Sequence, residues 1–74
     1  MMNRVGERLK KFRLRLAISQ EQFAKYLGIS PKAYWNYENN VRQLPLKIVI
    51  KIAKLCDINL HFLLLGEGEI FRDK

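Results

Sequence analysis

Two helix-start signals stand a few residues either side of a helix-stop signal, and this constrains the fold more than anything else in the chain. Ser19-Gln20-Glu21-Gln22 reads as a capping box, in which Ser19 caps the backbone and Gln22 reaches back. Ser30-Pro31 is the second start. The serine caps, and the proline takes the first helical position, where its missing N–H costs nothing and its ring holds Ser30 extended. Between them Gly28 supplies the left-handed residue that ends a helix. Two short helices must therefore meet at one sharp angle. Phe23, Ala24 and Leu27 form the inner face of the first of the pair, and Ala24 is small enough for a close crossing. Phe23, Leu27, Ile29, Tyr34 and Tyr37 fill the angle. The second of the pair ends near Glu38, followed by Asn39 and Asn40, which both tolerate a left-handed backbone. Lys32, Ala33, Trp35, Asn36 and Asn39 are left standing out from the body.

The flanks are helical too. Val5, Leu9, Phe12 and Leu16 share one face of a first helix from about Arg4 to Leu16. Arg4, Arg8, Lys11 and Arg15 form a basic stripe beside that face, expected to be solvated. Arg13 lies on the opposite margin, where it is able to point inward. Pro45 opens a fourth helix running to about Cys56, apolar over most of its circumference and so expected at the core or at a dimer contact. Asn59 caps a short fifth helix, Leu60 to Leu65, which Gly66 stops. The expectation is an all-α bundle of five helices with no strand. The domain covers 1–66, and 67–74 is a short tail with Ile70 and Phe71 as its anchors.

With 74 residues the chain has room for one domain. No apolar run approaches the ~18 residues that span a bilayer, which excludes a membrane helix. The N-terminus lacks the apolar core and cleavage site of a secretory signal. The single cysteine, Cys56, has no internal disulfide partner, which fits the cytoplasm. Cys56 and the lone His61 have no zinc spacing, nucleophile–base pair or glycine-rich phosphate loop around them, so neither a metal, a cofactor nor an enzyme activity is expected. The net charge is +7, and residues 1–38 hold five of those seven charges. Such a field collects polyanions.

The segment 20-QEQFAKYLGISPKAYWNYEN-39 is thus a helix-turn-helix, whose protruding second helix fits the B-DNA major groove, ~12 Å wide. With RLKKFRLRLAISQEQFAKYLGIS, YENNVRQLP and KIAKLCDINLHFLLLGEGEIF around it, the chain resembles the Cro/phage-repressor type of helix-turn-helix DNA-binding domain, the XRE family, over about residues 4–66. The resemblance implies a lambda-repressor-like bundle that binds double-stranded DNA. It also implies roles. Gln20 matches a glutamine that binds a phosphate and braces the recognition helix. Ser30, Pro31, Lys32, Trp35 and Asn36 match positions facing DNA. Arg13 and Glu38 match a partly buried ion pair, and Arg42, Gln43 and Lys47 match backbone-contacting positions. Tyr34, where a smaller Ile or Val is usual, Asn40 in place of a common glycine, Pro31 and Trp35 depart from the family pattern.

Chemistry gives the exposed face its expected contacts. Asn36 suits a bidentate contact with adenine and Lys32 suits guanine O6 and N7, each worth ~1–3 kcal/mol of discrimination. The Trp35 indole suits a thymine methyl or a sugar, or else a protein partner. Base contacts are therefore assigned to Lys32, Trp35 and Asn36, while the resemblance implies DNA-backbone contacts at Gln20, Ser30, Arg42, Gln43 and Lys47. So small a module calls for a homodimer on a palindromic operator, acting by repression as the resemblance implies. Its recognition helices would lie ~34 Å apart, and Ile58, Leu60, Phe62 and Leu64 are the expected interface. The alternatives are an antitoxin-type DNA-binding protein with a toxin-binding surface at Trp35, Leu14 or the tail, and a protein-interaction module that no longer reads DNA.

Overall fold

A computed structural model describes residues 4–72, within an envelope of 30 × 25 × 21 Å. Its helices are α1 (Val5–Arg15), α2 (Gln20–Leu27), α3 (Pro31–Glu38), α4 (Leu46–Leu55) and α5 (Leu60–Leu65). The local signals act as expected. Ser19 Oγ accepts the Gln22 N–H at 3.0 Å, and Gln22 Oε1 accepts the Ser19 N–H at 2.8 Å. Ser30 Oγ accepts the Ala33 N–H at 3.0 Å, and Gly28 ends α2 with φ +73°. Pro45 stands one position earlier than expected, as the N-cap of α4 and not its first residue. Leu9, Phe12, Phe23, Ala24, Leu27, Tyr34, Ile52 and Leu63 meet in the core, with Phe23 edge-on to Tyr34 at 5.4 Å.

Several helix ends receive a hydrogen bond from across the bundle. Arg4 provides no side-chain cap for α1. The orphan N–H of Gly6 is instead accepted by Asn40 Oδ1 at 3.0 Å, from just beyond α3. Asn40 takes the left-handed conformation, φ +60°, that aims its side chain there. Gly6 is the backbone contact between α1 and the end of α3: a Cβ on it would lie 2.4 Å from Glu38 O and 2.6 Å from Tyr37 O. Lys51 Nζ donates to Leu27 O at the end of α2, 3.0 Å away, and Tyr26 Oη donates to Leu55 O at the end of α4, 3.1 Å away. A cation at a helix C-terminus also answers the negative end of its dipole.

Three expectations are corrected. Arg8 does not belong to a solvated stripe, because its Nε and Nη2 donate to Leu63 O and Leu64 O, at 2.9 and 3.2 Å, and so close the C-terminus of α5. Ile58 has no surface to give to a dimer. It is 2% exposed, because the chain after α5 turns back over it. Nor is the segment after Gly66 a simple tail. Ile58 and Phe71 form an antiparallel bridge, Asn59 N–H donates to Ile70 O at 2.9 Å, and the Phe71 ring lies 5.5 Å from that of Phe12. Arg72 adds an exposed ion pair with Asp57 at 3.1 Å. The wide apolar surface of α4 divides: Ile48, Val49 and Ile52 are buried, while Leu46, Ile50 and Leu55 are exposed.

Gly6→Ala should cost about 2–3 kcal/mol, near the upper end for overpacking, since backbone and not a flexible side chain blocks the new methyl. Urea melts would show it. Ending the chain after Gly66 should cost about 1–3 kcal/mol through the lost ring contact and hydrogen bonds, read as a lower melting temperature.

Candidate nucleic-acid interface

The outer face of α3 is held by a carboxylate on its inner face. Glu38 is 4% exposed and receives donors from three helices. Arg13 of α1 makes a bidentate pair with it, Nε to Oε2 at 2.8 Å and Nη2 to Oε1 at 3.1 Å. Gln20 Nε2 of α2 donates to Oε1 at 2.7 Å, and Tyr34 Oη, one turn earlier in α3, donates to Oε2 at 2.5 Å. The remaining reach of Arg13 goes to Ile18 O at 2.8 Å, which fixes the α1–α2 loop. Among the described residues no buried side-chain nitrogen or oxygen lacks a partner.

These contacts decide the ionisation of the cluster. Burial pushes the Glu38 carboxyl up, but the hydrogen bonds from Arg13, Tyr34 and Gln20 outweigh it and hold the group below the usual carboxylate range. Burial, together with the neighbouring Glu38, raises the Tyr34 hydroxyl far above the ordinary phenol range, so it remains a donor. Arg13 is held protonated first by its hydrogen bond to Glu38.

The expected reading face lies on the far side of α3. Lys32 and Trp35 are exposed, Trp35 to 42%, and Lys32 Nζ rests 5.4 Å from the centre of the Trp35 ring. Asn36 is half-buried, and its backbone carbonyl accepts from Val41 N–H at 2.8 Å and Arg42 N–H at 3.2 Å. That contact anchors the loop carrying Arg42 and Gln43, both exposed, toward the exposed Lys47 in the first turn of α4. Asn39 Nδ2 donates to Trp35 O at 3.0 Å. Ser30 and Pro31 are exposed at the N-terminus of α3, and half-buried Gln20 lies at the N-terminus of α2. Cys56 is half-buried and its thiol is pushed up by burial, with Asp57 adding to it. Among the described residues no three metal-ligating side chains come together.

A profile of the helix-turn-helix family matches residues 9–63. The chain belongs to that family, in its Cro/phage-repressor (XRE) branch. The family is one of DNA-binding domains and not of enzymes. Two Bacillus subtilis (strain 168) proteins are similar. One is the uncharacterized HTH-type transcriptional regulator YqaE, 37% identical over 71 residues, covering 93% of this chain and 61% of the relative. The other is the SPbeta prophage-derived uncharacterized HTH-type transcriptional regulator YonR, 38% identical over 61 residues, covering 82% of this chain and 56% of the relative. The chain thus spans about three fifths of the length of these curated relatives. No solved structure matches it significantly. Among the described residues no helix is long and apolar enough to cross a membrane.

Two contributors escaped sequence reasoning. Gly6 carried a signal, since a glycine inside a helix costs about 1 kcal/mol relative to alanine and calls for a reason. Tyr34 was legible as a core residue, but its hydroxyl's bond to Glu38 at i+4 required the rotamer that only the packed bundle sets.

A buried pair that loses one partner costs about 3–5 kcal/mol, so Glu38→Gln should remove much of this domain's stability at neutral pH. The pH dependence has a definite sign. A carboxyl held below its unfolded value of about 4.3 stabilises the fold above that value and loses the contribution as pH falls through the folded one. The urea midpoint should therefore drop below about pH 4.5, and Glu38→Gln should flatten that limb. Tyr34→Phe removes one donor, so it should cost about 1.5–3 kcal/mol and, by raising the folded carboxyl toward its unfolded value, make the acid decline smaller and end it at higher pH.

Proposed function

We propose that the chain is the DNA-binding part of a cytoplasmic transcriptional regulator that represses by occupying a palindromic operator as a homodimer. The observation that carries this reading is the mounting of α3. Its inner face is clamped through Glu38 to α1 and α2, while Lys32 and Trp35 project from its outer face. Groups on a rigid, protruding helix are placed to read base edges in the major groove. Lys32 addresses guanine, Asn36 adenine, and Trp35 the apolar part of a base.

Around that helix the backbone contacts fall at both ends. Gln20, held by Glu38 at the start of α2, and Ser30, at the start of α3, meet phosphates on one side. Arg42, Gln43 and Lys47 meet them on the other, beside the α4 N-terminus, which has no side-chain cap. These contacts supply affinity and register, while α3 supplies sequence. The net charge of +7 speeds the encounter and makes it salt-dependent. The dimer forms through α5, where Phe62 and the exposed Leu65 share a face bordered by half-buried Leu60 and Leu64.

Selection from a random DNA pool at physiological salt tests the function. The expected product is a palindromic consensus with half-sites about one helical turn apart. Asn36→Ala should relax one adenine position. Arg42→Ala should weaken all sequences alike and lower the salt slope by about one. Leu65→Glu should abolish cooperative binding to the full palindrome while each half-site still binds. A pool that yields no consensus, with binding only at low salt, would reject the regulator in favour of a protein-interaction module.

A further inference from the structure

Lys32 and Trp35 are three residues apart on α3, which separates their backbones by about 4.5 Å along the helix axis. Their side chains have come together: the ammonium rests over the indole, 5.4 Å from the ring centre. With the ammonium in place Trp35 is still 42% exposed, the largest aromatic side chain in the protein left half uncovered on the face that carries Lys32. We infer that Lys32 and Trp35 act as one reading unit, whose target is a guanine beside a pyrimidine bearing a C5-methyl group. This inference rests on α3 being the groove-facing helix.

The chemistry of each half selects its part of the target. A lysine ammonium has three donors, and with one N–H turned to the ring beneath it two remain. These suit the paired acceptors O6 and N7, which guanine alone presents in the major groove. An unanchored lysine would spread over many rotamers, whereas the ring confines this one near its working position. The uncovered indole surface has no comparable hydrogen-bonding demand. Its match in the groove is the apolar group projecting there from a base, the C5-methyl of thymine or of 5-methylcytosine. The spacing is right for neighbours, since 5.4 Å between ammonium and ring centre compares with about 3.4 Å per base step. The two groups therefore address adjacent or next-adjacent pairs.

The test begins with the selected consensus duplex and replaces each thymine in turn by deoxyuridine, which removes the methyl alone. One such replacement, beside a guanine, should weaken binding about fourfold, the worth of one buried methyl-sized group. At that position 5-methylcytosine should bind better than cytosine by a similar factor if the methyl alone is read; a gain with thymine only would narrow the target to thymine. Trp35→Ala should erase the methyl effect, with thermal melting confirming the fold. Lys32→Ala should relax the neighbouring guanine about tenfold. Trp35 is the sole tryptophan, so its emission should shift to the blue and resist acrylamide quenching on the cognate duplex. A consensus indifferent to every methyl, or an emission unchanged by cognate DNA, would overturn the unit while leaving the regulator intact. So would a Lys32→Ala variant that loses affinity uniformly and lowers the salt slope by about one, which would put Lys32 on a phosphate. A pool without any consensus would remove both together.

Discussion

One buried carboxylate holds this domain in shape. Glu38 accepts hydrogen bonds from Arg13, Gln20 and Tyr34, so α1, α2 and α3 share a single polar anchor inside an otherwise apolar core. A charge this buried is tolerated only when its partners are complete, and here they are. The anchor is directional, which packing of Phe12, Phe23 and Leu27 is not. Burial of Tyr34 sets which side of α3 faces inward, but apolar contact is not directional. Three aimed hydrogen bonds from α1 and α2 fix the rotation more closely, as a reading helix needs.

The same device recurs at the helix ends on a smaller scale. Asn40, Arg8, Lys51 and Tyr26 each hydrogen-bond the backbone at the end of another helix. In a domain of this size the core alone stabilises little, and every buried or half-buried backbone group left unpaired would cost a sizeable share of the total. These cross-helix caps make the helices depend on one another. Cooperativity is the consequence: the α2–α3 angle is kept by the whole bundle and not by the Gly28 turn alone. Arg8, Arg13 and Lys51 thus serve the fold as well as the charge balance. Arg13 is neutralised by Glu38, whereas Arg8 and Lys51 donate to neutral carbonyls and still add to the field that a polyanion meets.

Legibility in the sequence followed the range of the interactions. Caps and stops act over three or four residues, so Ser19 with Gln22, Ser30 with Pro31, and Gly28 could be read directly, and the α5 bounds emerged from Asn59 and Gly66 in the same way. The exposed face of α3 was readable because burial of Phe23, Leu27 and Tyr34 leaves only one side free. What was missed acts at long range. Arg8 looked like one more member of a basic stripe, because nothing nearby in sequence shows that the α5 carbonyls lie beside it. Ile58 looked like spare apolar surface until the chain after Gly66 turned back over it. A hydrophobic pattern shows that a residue seeks cover and not which segment provides it.

By itself, then, the sequence determined the number of helices, the tight turn between α2 and α3 and the residues able to face a groove, since these follow from local dihedral preferences and helical periodicity. Only the tertiary structure decided which cations serve the fold, how the Tyr34 hydroxyl and Gln20 amide converge on Glu38, that Ile70 to Arg72 pack back onto the bundle, and that Lys32 lies over Trp35. Each of these depends on distances between segments far apart in the chain, or on a choice among rotamers that packing makes.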